Sequence, residues 1–309
     1  MTGRKLEKPM TNNPSDKDLA KPSRSKSLGR DLTKPVRKKS GRCGRYLYGI
    51  ILVILLTALY EYANLDRSFV AVFLDVGQGD GILIRTEQGT SILIDGGSTS
   101  NQRVGEYVLL PAIRYYGMSE LDYVFVTHAH IDHSGLLPLL YNHGFRGKIY
   151  CTLATNELCN IMLKDSAHIQ MFEAEWRNRK AKRAGKPEVV PLYDMNDAMS
   201  VLSHFVPCDY QKKIKVCDGL EIRFVDAGHL LGSSSIEMWV RDDDGTEVKL
   251  AFSGDIGPGN RPLIKDPEYI KDADYVIMES TYGDRKHNTP PDFAIALAKV
   301  IKETLYERG

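Results

Sequence analysis

Three histidines and an aspartate lie within the six residues His128-Ala129-His130-Ile131-Asp132-His133, directly after the apolar run Tyr123–Val126. Imidazole nitrogen and carboxylate oxygen are ligands that Zn²⁺ accepts at about 2.0–2.2 Å. One metal cannot easily take all four groups from so short a segment. Two adjacent metals can, with His128 and His130 turned to one and Asp132 and His133 to the other. A pair about 3.5–4 Å apart polarises a phosphoryl oxygen and supplies hydroxide at neutral pH. A lone histidine here would more often be a core residue, but four such groups at this spacing point to metal. The remaining ligands must come from other strand ends. His229, in AGHLLGSSS, and Asp255, in FSGDIG, both follow strand-like runs, and a carboxylate at 255 can bridge both metals. Asp95, in ILIDGG, is a third strand-end acid, better suited to orienting a ligand than to binding metal. Within the set, Asp132 is expected to act in catalysis as well as in binding.

These groups need strands to hold them. SFVAVFLDV, ILIRT, SILIDGG, LDYVFVTH, KIYCT, KIKVC, LEIRFVDAG, SSIEMWVRD, DGTEVKLAFSGD and ADYVIMES read as strands, the last as a buried one. Asp244-Gly245 marks a hairpin between the eighth and ninth of these. Val104–Tyr116, Asn156–Ser166, Phe172–Ala184 and Asp194–His204 read as helices, the last with Asp194 as N-cap. Interleaved strands and helices with many hairpins predict an α+β fold, an αββα sandwich with helices outside two packed sheets. The glycines of DVGQGDGILI invite a dinucleotide-loop reading. That reading requires a helix after them, and the strand ILIRT follows instead.

The rest of the chain narrows the class. Five cysteines without a CxxC pair exclude a disulfide framework and a cysteine zinc knuckle. Net charge is +1, but residues 1–45 carry 14 Lys/Arg against 4 Asp/Glu, and residues 46–309 carry 27 against 36. The basic, Ser/Pro-rich segment 1–45 lacks aromatic residues and reads as a disordered tail. Residues 46–63, YLYGIILVILLTALYEYA, read as a single-pass transmembrane anchor in contact with membrane lipid. The positive-inside rule then puts the N-terminus in the cytoplasm and the body outside. A second basic run, from Arg177 to Lys186, reads as a solvated helix face or a phosphate-backbone contact.

HAHIDH, AGHLLGSSS and FSGDIG, in that order, resemble the successive metal motifs of the metallo-β-lactamase superfamily. From about residue 46 to 126, FLDVGQGDGILI, ILIDGG and VLLPAIRYYGMSELDYV resemble the hydrolase domain of the DNA-uptake competence membrane proteins. From residue 127 to 309, HAHIDHSGLLPLL, GFRGKIYCT and MESTYGDRKH resemble the β-CASP nucleases, of the ribonuclease J and cleavage-and-polyadenylation endonuclease type. The resemblance implies the αββα fold over residues 68–309, a dinuclear zinc site, and hydrolysis of phosphodiesters in RNA or DNA. It also implies that Glu279 corresponds to the first acid of the β-CASP motifs, a catalytic role. Two departures stand out: β-CASP proteins usually carry no anchor, and their further histidines have no match after TLYERG. His287 lies too near Glu279 to be either of these, and reads as a surface or phosphate-contacting residue. The resemblance therefore implies a chain truncated just inside the β-CASP insertion, at 290–309, with its second zinc one ligand short. A metal-binding fragment without turnover, and a lactam or thioester hydrolase of the same fold, are the competing readings.

Overall fold

The computed structural model describes residues 42–63, 68–100, 103–118, 120–242, 244–286 and 292–307. The basic tail up to residue 41 and His287 lie outside these. The chain divides into two units, residues 1–65 and 66–309. In the first, a run without proline, uncharged from Tyr46 to Tyr60, forms helix α1, Arg42–Ala63. Its side chains from Tyr46 to Tyr60 are all exposed. Among the described residues no helix is long and apolar enough to cross a membrane. The expected anchor over 46–63 thus has a helix in its place, but not one that meets the combined length and apolarity of a span.

The second unit is built on two sheets. The first runs in the order β1 (Val70–Phe73), β2 (Gly81–Arg85), β3 (Ser91–Asp95), β4 (Tyr123–Phe125), β5 (Lys148–Thr152), β6 (Phe205–Cys208). Strands β1 to β3 form antiparallel hairpins, and β3 to β6 are parallel. The parallel strands need crossovers. A π-turn at Gly105–Leu109 leads into α2 (Leu110–Tyr115); α3 (Ile131–Ser134) and α4 (Leu137–Asn142) follow β4; α5 (Leu153–Arg183) and α6 (Met195–Val201) follow β5. The second sheet runs β11 (Tyr275–Ile277), β10 (Glu247–Phe252), β9 (Ser234–Arg241), β8 (Leu220–Asp226), β7 (Ile214–Cys217).

Alternation along the strands decides what packs where. Ile82, Ile84, Ile92, Ile94 and Phe125 of the first sheet meet Ile222, Phe224, Ile236, Met238 and Phe252 of the second in one buried core. Leu83, Leu93, Val124 and Ile149, on the opposite face, pack with Ile113, Leu137, Cys159, Leu163 and Val201 of the helices. Full burial of each large side chain contributes about 1.5–3 kcal/mol. The second sheet's outer face differs. Arg223 and Lys249 pair with the buried Glu237, and Lys213 and Lys249 lie over Trp239. The described residues thus supply the αββ part of the expected αββα sandwich.

Strand direction sets the position of the site. β3 and β4 are parallel; β8 and β10 both run antiparallel to β9; β11 is parallel to β10. Asp95 ends β3, the histidine segment follows β4, His229 follows β8, Asp255 follows β10, and Glu279 follows β11. The C-terminal strand ends of both sheets meet, and Ser234 donates from its backbone N–H and its hydroxyl to the Thr127 carbonyl there, each at 2.9 Å.

Three local readings are corrected. The helices expected at 156–166 and 172–184 are one 31-residue helix, α5. No Gly or Pro interrupts 167–171, and Ala167 is buried. Strand β6 escapes the pattern because Pro207 sits in it, as tolerated on a sheet edge. β11, read as buried, is an exposed edge strand with Tyr275 and Val276 more than half exposed. The expected Asp194 cap is present as a capping box with Asp197, and β9 and β10 pair antiparallel at the Asp244-Gly245 turn.

Candidate metal centre

His128, His130, His229 and Asp255 converge, with one ligand atom from each lying within 4.8 Å of all the others. His130 Nδ1 lies 3.0 Å from His128 Nε2 and 3.2 Å from His229 Nε2. Asp255 Oδ2 lies 3.7 Å from His128 Nε2 and 3.5 Å from His229 Nε2. A tetrahedral ion with bonds of about 2.0–2.2 Å separates its ligand atoms by about 3.3–3.6 Å. Four of the separations, 3.0–3.7 Å, stand close to that spacing, so the donor set suits a zinc-like cation. The other carboxylate oxygen of Asp255, Oδ1, faces away from this set and lies 3.5 Å from His133 Nε2.

A second group, Asp80, Asp95 and His133, lies beside the first. Asp95 is fully buried and accepts from the Thr127 N–H at 2.9 Å, the Thr127 hydroxyl at 2.6 Å and His133 Nδ1 at 2.9 Å. With its hydroxyl hydrogen given to Asp95, Thr127 Oγ1 is left to accept from His128 Nδ1 at 3.0 Å. One carboxylate thus sets two rings, His133 directly and His128 through Thr127, leaving both Nε2 atoms toward Asp255. Asp95 sits at φ 52°, a left-handed conformation that aspartate tolerates better than most residues. Asp80 Oδ2 lies 3.9 Å from His133 Nδ1.

Loops close the site behind these groups. The second strand-end loop is tied down at His229, whose N–H donates to Ser233 Oγ at 3.0 Å. Glu279 Oε1 accepts from the Ile256 N–H at 2.8 Å and so holds the residue after Asp255. Gly79 and Gly97 stack against the backbone of Asp132; a Cβ on either would stand about 2.5 Å from the Asp132 carbonyl oxygen. A cavity of about 160 Å³ opens on this side and is lined by Asp80, Asp95, Thr127 and Glu279.

A family model described as the metallo-β-lactamase superfamily matches residues 74–297. The chain belongs to this superfamily. Ribonuclease TTHA0252 of Thermus thermophilus is 33% identical over 190 residues, 62% of this chain and 38% of that protein. The transcription termination factor FttA of Methanosarcina mazei is 31% identical over 241 residues, 76% of this chain and 34% of that one. The probable RNase MJ4 of Methanocaldococcus jannaschii is 30% identical over 248 residues, 79% of this chain and 52% of that one. The chain spans from about a third to about half the length of these relatives.

Within this superfamily site, burial and the neighbouring histidines hold His128 far below its ordinary pKa, so it stays neutral and able to bind a cation. Burial likewise lowers His229 and raises Asp255. For His133 burial is opposed by Asp95, Asp255 and Asp80, which together push it up to about 9 in the metal-free protein. Burial and Asp95 raise Asp80 to about 6. Of the expected ligands, Asp132 belongs to neither cluster; it lies in the first turn of α3, and its charge adds to those that raise Asp255. Asp80 and Thr127 are the residues that motif spacing misses. The signal for Asp80 is an acid between glycines directly before a strand, GDGILI; Thr127 carries none beyond its place next to His128.

Proposed function

We propose that this chain is a zinc-dependent phosphodiesterase acting on nucleic acid, RNA before DNA. The observation that supports it most is the tetrahedral spacing of His128, His130, His229 and Asp255, with the second oxygen of Asp255 turned to His133. The names of the relatives, two of them ribonucleases, support the choice of RNA. Those three histidines and Asp255 would hold the first zinc ion. Asp255 and His133, with Asp132 or Asp80, would hold the second. Bound there, zinc supplies Lewis-acid stabilisation of phosphoryl charge and lowers the pKa of water.

The chain's own residues do the rest. Asp95 keeps His133 and, through Thr127, His128 in the tautomer that presents Nε2. Glu279 anchors the loop that aims Asp255. Asp132, at the mouth of the site, is assigned to taking up a proton from the attacking group. The proposal extends to α1, whose described side chains are uncharged and exposed. We assign residues 46–63 to lipid contact, with the N-terminus cytoplasmic and the hydrolase unit outside; release of the full chain from vesicles by alkaline carbonate would refute that assignment.

The test of the enzyme is bound zinc together with cleavage of labelled single-stranded RNA and DNA, wild type against His130→Ala. The expected result is zinc in the wild type, cleavage abolished by chelator, and loss of both in the variant. Equal zinc content and equal cleavage in the two proteins would overturn it.

A further inference from the structure

We propose that the outer end of α5 is a docking surface for single-stranded nucleic acid leading to the metal centre, an inference that rests on the phosphodiesterase reading. Residues 177–186 contain six Lys/Arg and no Asp/Glu, although residues 46–309 as a whole are acidic. Ala174 is the last buried residue of α5, and Arg177, Arg179, Lys180, Lys182, Arg183 and Lys186 all reach solvent. Arg177 pairs with Glu173 at 3.1 Å. Among the described residues, Arg179, Lys182, Arg183 and Lys186 make no ion pair.

A helix C-terminus welcomes cations, but its dipole amounts to about half a negative charge. That offsets about half the charge of one of these side chains and leaves the rest uncompensated. The remaining repulsion is relieved by an external polyanion. Two observations favour a nucleic acid over an anionic lipid surface. Trp176 is half exposed and Lys180 Nζ sits 3.4 Å from its ring centroid, an aromatic-cation platform suited to an unpaired base and its phosphate. Further inward, a cleft of about 270 Å³ lies between α5 and residues 189–193. Gln170, Ser166 and Tyr193 line it with polar groups, and its inner end reaches Ile131, between His130 and Asp132. From Ser166 to Trp176 the helix advances about 15 Å. The cleft is lined at one end by Arg177, next in sequence to Trp176, and at the other by Ile131, next to His130, so it lies between the platform and the histidine segment.

The test uses the full chain. Binding of a fluorescent 20-nucleotide RNA is measured in chelator, from 50 to 500 mM salt, for wild type, Trp176→Ala, and the quadruple variant Arg179→Gln, Lys182→Gln, Arg183→Gln, Lys186→Gln. Removing one basic side chain from a single-strand phosphate lowers the slope of log K against log salt by about 0.7. The quadruple variant is expected to show a slope smaller by up to about 3, with most of its affinity gone at 50 mM and little change at 500 mM. Trp176→Ala is expected to bind about 10-fold more weakly or worse, without a slope change. With zinc restored, all three proteins hydrolyse bis(p-nitrophenyl) phosphate equally, since so small a diester cannot reach the helix end. Unchanged RNA affinity and slope in the variants overturn the proposal, as does wild-type binding to phosphatidylserine vesicles but not to RNA. Absence of turnover in the wild type overturns the phosphodiesterase reading instead; the binding series in chelator still decides this one.

Discussion

Asp95→Asn separates the negative charge of Asp95 from its place in the fold. Asparagine is nearly the same size and also tolerates the φ of 52° at this position, so the backbone should be indifferent. The hydrogen bonds are not. Asp95 accepts three of them, from the Thr127 N–H, the Thr127 hydroxyl and His133 Nδ1. Asparagine offers one oxygen and presents an N–H₂ to what was a donor. At least one charge-assisted bond disappears, at about 1.5–3 kcal/mol each, and the His133 imidazolium is deprived of its nearest counter-charge. The metal-free protein should be less stable by about 2–4 kcal/mol. Zinc affinity should fall about 10–100-fold, the usual effect of removing an outer partner of a ligating histidine. Urea unfolding in chelator measures the first, and competition with a chromophoric chelator the second. If Asp95→Asn unfolded at the wild-type urea concentration and kept wild-type zinc affinity, the claim that Asp95 sets both His133 and His128 would be wrong.

Two other outcomes follow from the same acids. In metal-free protein the folded pKa of His133 is pushed up to about 9 from 6.5, so its contribution to stability is complete below 6.5 and lost as pH rises through 9. Urea titrations across pH 6–10 in chelator should show that decline in the wild type and not in His133→Gln; parallel curves would count against it. Asp80 is raised to about 6 from 3.8, so its carboxylate opposes folding increasingly as pH rises from 3.8 to 6. Its side chain is 43% exposed, so after solvent screening Asp80→Asn should stabilise the metal-free protein at neutral pH by only about 1 kcal/mol. The same variant should bind fewer zinc ions per chain, read by elemental analysis; unchanged metal content would remove Asp80 from the site.

Motif spacing picks out His128, His130, His229 and Asp255, which the fold gathers, because side chains that converge from several strands must sit at strand ends, and strand ends can be recognised from where an apolar run stops. It located Asp95 for the same reason. It did not locate Asp80, whose position depends on the loops at Gly79 and Gly97 closing onto Asp132 from far away in sequence, nor Thr127, whose role rests on its contacts with Asp95 and His128. Asp132, spaced as a ligand within HAHIDH, stands in the first turn of α3 outside both groups, yet near enough for its charge to raise Asp255. Continuity of α5 was hidden because the exposed stretch around Met171 and Phe172 has no helical apolar stripe of its own.

The site's construction also bears on how the fold closes. His128 and His130 hang from the first sheet, and His229 and Asp255 from the second. No ion can be held by these four unless the sheets are docked at this end, so binding free energy is added to sheet docking itself. The protein already ties the same end without metal, through the two hydrogen bonds that Ser234 donates to the Thr127 carbonyl. Thr127 therefore serves both purposes: its carbonyl joins the sheets, and its hydroxyl, fixed by Asp95, orients His128. Replacing Thr127 with valine would spare the backbone link but cut the relay to His128. The relay and the sheet junction are thus separable by mutation, though one residue carries both.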